Sequence, residues 1–129
     1  MIRAMSKQVK VLIVEDNDSI ADLYKVYLES ANFVSKRTAD GQEALTEIPN
    51  FQPDIILLDA MMPNKSGFDV LEELRAKPET ADLPVIMFTA LNQPKDQQRA
   101  EALGVKAYLV KSQVVISDIV ETINGILDL

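Results

Sequence analysis

Four apolar runs in this 129-residue chain end on groups that can do chemistry. "VKVLIV" is followed by Glu15 and Asp16, "IILL" by Asp59, "VIMF" by Thr89 and "AYLV" by Lys111. Taken singly each is ordinary, since an aspartate after a strand commonly caps a helix or forms a turn. Taken together they describe a pocket. Functional groups in an open parallel sheet gather outside the carboxyl ends of the strands, so adjacent strands would deliver all these side chains to one place. Glu15, Asp16 and Asp59 would then bring three negative charges, and Lys111 would return one. A divalent cation completes the balance, and carboxylate oxygens select a hard one: Mg2+, with Mn2+ as a substitute. Such an ion and a lysine together let an anionic carboxylate meet an anionic phosphoryl group, and carboxylate nucleophiles do form aspartyl phosphates. On this chemistry Asp59 is the candidate phosphoacceptor, Asp16 a direct metal ligand and Glu15 a ligand acting through water. Lys111 is a clamp on the phosphoryl oxygens and Thr89 a hydroxyl donor.

Composition narrows the remaining classes. The chain has no histidine and no cysteine, which removes the usual general base, the commonest zinc ligand, thiolate metal sites and disulfides. A formal charge of -7 argues against an extended surface for DNA or RNA. No apolar run approaches a membrane span, and the opening "MIRAMSKQ" lacks the apolar core of a signal peptide. A soluble, cytoplasmic protein is expected, with neither membrane nor direct nucleic-acid contact.

The elements that must position the candidate residues follow from periodicity. Short runs rich in β-branched residues, Val9 to Val14, about Val34 to Thr38, Ile55 to Leu58, Val85 to Phe88 and Ala107 to Val110, alternate with longer amphipathic stretches. Three of the runs are almost continuously apolar, as parallel strands covered on both faces are; the second carries Lys36 and Arg37 and reads as an edge strand. Helical spacing predicts helices over Ser19 to Ser30, Asp40 to Ile48, Phe68 to Arg75, about Pro94 to Leu103, closed by Gly104, and about Val114 to Leu127. The expectation is an α/β protein of five strands and five helices, one domain over residues 1–129, with 47% hydrophobic content to fill one core.

At this point the residues resemble a family, the receiver domains of two-component response regulators, and within it the single-domain type typified by chemotaxis regulators. The likeness rests on the acid pair in "VEDN", the acceptor segment "LLDAMMPNKSGFDVL", the "FTA" that holds Thr89 and the "YLVKS" that holds Tyr108 and Lys111, all in family order. It implies a flavodoxin-like doubly wound sheet of order 2-1-3-4-5. It implies phosphorylation of Asp59 by a histidine kinase or histidine phosphotransfer protein. Glu15 and Asp16 match the metal-binding acids, and Met61 matches the position that offers the metal its backbone carbonyl. Pro63 and Gly67 match the loop after the acceptor, where Gly67 would allow a turn. Thr89 and Tyr108 match a switch pair, in which the hydroxyl is drawn to the phosphoryl group and the ring turns inward; Tyr108 as a packing ring is the plainer reading. The output face would be the fourth helix, fifth strand and fifth helix.

Two departures from the family pattern matter. Lys111 is followed by Ser112 where the family usually has proline, so the bond is either trans with an adjusted loop or a strained cis peptide. Met61 and Leu91, two beyond Asp59 and Thr89, are apolar where many relatives carry polar groups, and apolar cover there would slow water's attack on an acyl phosphate. The fifth helix carries more apolar residues than one buried stripe requires, from Val114 to Leu127, which reads either as core cover or as an interface for a homodimer or partner. A flavodoxin-type electron carrier would want a glycine- and hydroxyl-rich phosphate cradle where "EDNDS" stands, and an aspartate-nucleophile phosphatase would want a second aspartate at Met61. The remaining alternative is a binding module that holds Mg2+ but is never phosphorylated.

Overall fold

A computed structural model describes residues 8–129; the opening "MIRAMSK", most of the segment that lacks a signal peptide's apolar core, lies outside them. Among the described residues the order is β1 (Lys10–Val14), α1 (Asp18–Ser30), β2 (Val34–Thr38), α2 (Gly41–Phe51), β3 (Ile55–Leu58), α3 (Gly67–Ala76), β4 (Val85–Thr89), α4 (Pro94–Ala102), β5 (Ala107–Val110) and α5 (Ile116–Leu127). The five strands form one parallel sheet in the order β2-β1-β3-β4-β5, so the implied doubly wound topology holds and β2, with Lys36 and Arg37, lies at an edge. Among the described residues no helix is long and apolar enough to cross a membrane.

Side chains alternate across a pleated strand, and the two faces of this sheet divide the core by that rule. Leu12, Val14, Ile56, Leu58, Val85 and Met87 pack with Ala44, Ile48, Phe68, Leu71, Leu74 and Ala100 from α2, α3 and α4. Val11, Ile13, Ile55, Leu57, Ile86 and Phe88 pack with Tyr24, Leu28, Ile119 and Ile123 from α1 and α5. Burial on both faces is why the central runs are apolar throughout. It also accounts for much of the surplus on the last helix. Val114, Ile116, Val120, Ile126 and Leu127 all pack against the second cluster, whereas Val115, just before the helix, is mostly exposed, at 64%. Much of the apolar surface of α5 therefore serves the core.

Four features differ from the sequence expectation or decide between its alternatives. Helix α2 continues through Pro49 to Phe51. Its last turn is held from outside, because the Lys10 ammonium donates to the Phe51 carbonyl at 3.2 Å and lies 5.6 Å from the Phe51 ring centroid. Helix α5 begins at Ile116 rather than Val114, since a 3₁₀ turn over Lys111–Gln113 comes first. No cis peptide occurs among the described residues, so the Lys111–Ser112 bond is trans and the loop adjusts. Gly67 does not supply a left-handed turn: Asn64 does, with φ of 68°, and Gly67 opens α3.

Candidate phosphoacceptor site

The register of the sheet brings the predicted residues together. Val14 of β1 lies opposite Leu58 of β3, so Glu15 and Asp59 leave adjacent central strands at the same level. Two further bonds continue the ladder past the strand ends, from the Glu15 amide to the Thr38 carbonyl at 3.1 Å and from the Asp59 amide to the Val14 carbonyl at 3.1 Å. The loop after β5 returns Lys111 to the same place. Its ammonium donates to Glu15 Oε1 at 2.7 Å and to Asp59 Oδ2 at 3.0 Å. It also lies 5.8 Å from the centroid of the Phe88 ring, which with Tyr24 closes the floor of the site.

The three acids differ in how they are held. Glu15 is 3% exposed, and its second oxygen accepts from the Asn17 amide at 3.1 Å. Asp59 is 6% exposed, and its Oδ1 accepts from the Met61 amide at 3.0 Å. Asp16 is exposed, and no hydrogen bond or ion pair among the described residues holds its carboxylate. Burial raises the Glu15 carboxyl above its ordinary range despite the opposing pull of Lys111. Burial acts to lower the Lys111 ammonium, but its hydrogen bonds to Glu15 and Asp59 and their charges outweigh it, and the group ends raised. The lysine is a held cation.

One carboxylate oxygen from each of Glu15, Asp16 and Asp59 lies within 4.8 Å of the others. The donor set is all oxygen, with neither histidine nitrogen nor thiolate available in the chain. That chemistry fits a hard divalent ion and does not fit zinc or copper.

Thr89 ends β4 fully buried, on the face that carries Met87 and, opposite it, Tyr108. A connection between the two runs through a residue whose side chain gives no sign of it. The Leu91 amide approaches Thr89 Oγ1 at 3.4 Å, and the Leu91 carbonyl accepts from the Tyr108 hydroxyl at 3.0 Å. Tyr108 is half-buried against the first cluster in this arrangement, and burial, followed by the charges of Asp96 and Asp59, raises its phenol. The Met61 side chain stays 53% exposed at the rim, while Leu91 packs inward.

Comparison with known proteins bears on what such a site belongs to. A family model described as the response regulator receiver domain matches residues 11–124. The chain belongs to this family. Among its relatives, this receiver domain is 34% identical over 117 residues to the polar-differentiation response regulator DivK of Brucella anthropi, covering 91% of this chain and 94% of that protein. It is 38% identical over 102 residues to the DNA-binding dual master transcriptional regulator RpaA of Synechocystis, covering 79% of this chain. Against curated relatives of that larger kind the receiver domain spans less than half the length, 42% of RpaA and 45% of the phosphate regulon regulatory protein PhoB of Rhizobium meliloti. Solved structures agree on the fold. The chemotaxis protein CheY4 of Vibrio cholerae superposes with a TM-score of 0.85 at 28% identity, covering 92% of this chain and 98% of that one. A CheY-like receiver domain protein of Methanospirillum hungatei gives 0.87 at 27% identity, covering 95% of each.

Proposed function

We propose that this receiver domain is a phosphorylation-dependent signalling switch that takes a phosphoryl group onto Asp59 from a histidine kinase or a histidine phosphotransfer protein. The observation that carries the reading is the Lys111 ammonium held between buried Glu15 and Asp59, with the exposed Asp16 carboxylate beside them. Mg2+, or Mn2+, bound by Glu15, Asp16, Asp59 and the Met61 carbonyl would supply positive charge to the phosphoryl oxygens. In the transfer an Asp59 oxygen forms the new O–P bond as the donor's N–P bond breaks, and the electron pair returns to the imidazole nitrogen. Lys111 then exchanges part of its contact with Asp59 for a phosphoryl oxygen, and the Met61 amide keeps Asp59 oriented.

The added group carries roughly two negative charges. It favours conformations that draw the Thr89 hydroxyl and Lys111 toward it, and the hydrogen-bonded path through Leu91 passes that bias to Tyr108. The readable surface is then α4, β5 and α5, where a downstream protein would bind. Pairing of two copies through that face is not needed to explain much of the apolar surface of α5.

Incubation of the full chain with acetyl phosphate and Mg2+ tests the reading by intact mass. A gain of one phosphoryl group is expected, lost in Asp59→Asn and in chelator. No gain in the wild-type chain would favour the unphosphorylated binding module. The same material tests the apolar rim. Since Leu91 packs inward, Met61 is left as the cover, and the acyl phosphate should persist for minutes or longer in Mg2+ buffer. Met61→Asn is expected to shorten that lifetime severalfold by orienting water. A wild-type lifetime of seconds would sink this part of the reading.

A further inference from the structure

Arg37, which in the sequence signals only an edge strand, has a second role in the geometry. It stands on β2 and reaches across to the turn between β1 and α1. Its Nε donates to the Glu15 carbonyl at 2.9 Å, and its Nη1 donates to Asp18 Oδ1 at 2.8 Å. Those contacts fall on either side of Asp16, whose own carboxylate is held by nothing among the described residues. The remaining nitrogen, Nη2, is buried with no hydrogen-bond partner among the described residues. A buried donor without a partner costs stability, so packing convenience does not account for the side chain's position. Its two made contacts do.

We propose that Arg37 is a positioning residue for the divalent-cation site, fixing the turn so that Asp16 is presented beside Glu15 and Asp59. The inference rests on the metal-dependent reading of that site. Within the turn the Asn17 side chain caps α1 by accepting from the Ile20 amide at 2.9 Å, and the Asn17 amide bonds Glu15. These fix the residues on each side of Asp16 locally; Arg37 spans both sides from another strand. The Asp18 carboxylate is 86% exposed, and exposed pairs contribute little, so the contact with the Glu15 carbonyl carries most of the effect.

Charge and position predict opposite signs here, which makes the test clean. Arg37 is a cation near a cation site, and removing it on charge alone should tighten Mg2+ binding. Removing a positioning contact should weaken it, by about tenfold where an outer contact orients a metal ligand. The experiment titrates Mg2+ into the unphosphorylated full chain by calorimetry at physiological ionic strength, where exposed charges are largely screened. Wild type, Arg37→Met and Arg37→Lys are compared, with Mn2+ titrations read by electron paramagnetic resonance as a second measure. Thermal unfolding in chelator separates a lost fold from a lost site.

Both variants are expected to bind Mg2+ about tenfold more weakly while unfolding in chelator at a midpoint close to wild type, because the orphaned nitrogen goes with the guanidinium. Affinity equal to or tighter than wild type in Arg37→Met overturns the proposal. Should Arg37→Met fail to fold, Arg37→Lys decides: it keeps the charge and loses the planar fork, and unchanged affinity there overturns the proposal equally. A wild-type chain that binds no Mg2+ would instead remove the metal-dependent reading itself.

Discussion

Replacing Lys111 with methionine should lower the unfolding midpoint in chelator by about 10 °C, from a loss near 3 kcal/mol. The sign comes from what stays behind. Glu15 and Asp59, 3% and 6% exposed, lose the one ammonium that hydrogen-bonds them among the described residues, and methionine fills the space without replacing the charge. Removing one partner of a buried ion pair costs roughly 3–5 kcal/mol. The lower figure applies because the Lys111 side chain is itself 21% exposed, so water reaches the site.

The pH dependence identifies the cause. Burial already raises the Glu15 carboxyl, and Lys111 is what pulls it back; without the lysine it must rise further. A carboxyl whose folded pKa exceeds its unfolded value destabilises the protein once pH passes the unfolded value, about 4.3. The variant's deficit should therefore be smallest in acid and grow as pH rises through the folded value. Lys111 in the wild type works in the other window. Its raised ammonium contributes stability below its unfolded pKa and loses it only as strongly alkaline pH passes the folded one. Mg2+ should rescue the variant more than the wild type, since the ion replaces missing positive charge. A deficit independent of both pH and Mg2+, measured by calorimetric unfolding, would show that the lysine acts through packing instead.

The same contrast, between charges visible in residue types and contacts made by backbone, explains what the sequence can disclose. Asp59, Lys111, Thr89 and the Glu15–Asp16 pair are legible because each ends an apolar run, and parallel strands put run ends together. Strand order is not in the periodicity; it comes from the family likeness. The fork of Arg37 depends on β2 lying parallel to β1 with Arg37 opposite Ile13, a register no local pattern encodes. Leu91 joins Thr89 to Tyr108 through its peptide group alone, so any residue there would look equally silent. The start of α5 is hidden because Val115 offers no capping side chain. Asp118 caps from inside the helix, accepting from the Val115 amide at 2.9 Å.

Gly67 is legible as a glycine but not for its reason, and the reason fixes the second large effect. It sits at the first position of α3, where its amide donates to the Ala60 carbonyl at 3.0 Å. A Cβ there would stand 2.3 Å from the Asp59 carbonyl oxygen and 2.7 Å from the Ala60 Cα. Both are backbone atoms of the segment that holds Asp59, so no side chain can swing aside. Gly67→Ala must push the N-terminus of α3 away from Asp59, straining the amide bond and the cap in which Ser66 Oγ accepts from the Asp69 amide at 3.2 Å. Overpacking costs about 1–3 kcal/mol, and with only backbone to yield the upper end is expected, a fall of about 10 °C. Labelling by acetyl phosphate should slow by about a hundredfold, the effect of displacing a reacting group by roughly 1 Å. Gly125 supplies the control. It too is helical, but a Cβ there meets nothing within 4 Å. Gly125→Ala should stabilise by about 0.5–1 kcal/mol through restricted unfolded-chain freedom and better helix propensity, and leave labelling unchanged. One substitution at two helical glycines should therefore move stability in opposite directions. If both variants shift it alike, helix propensity governs Gly67 and the close approach to Asp59 does not.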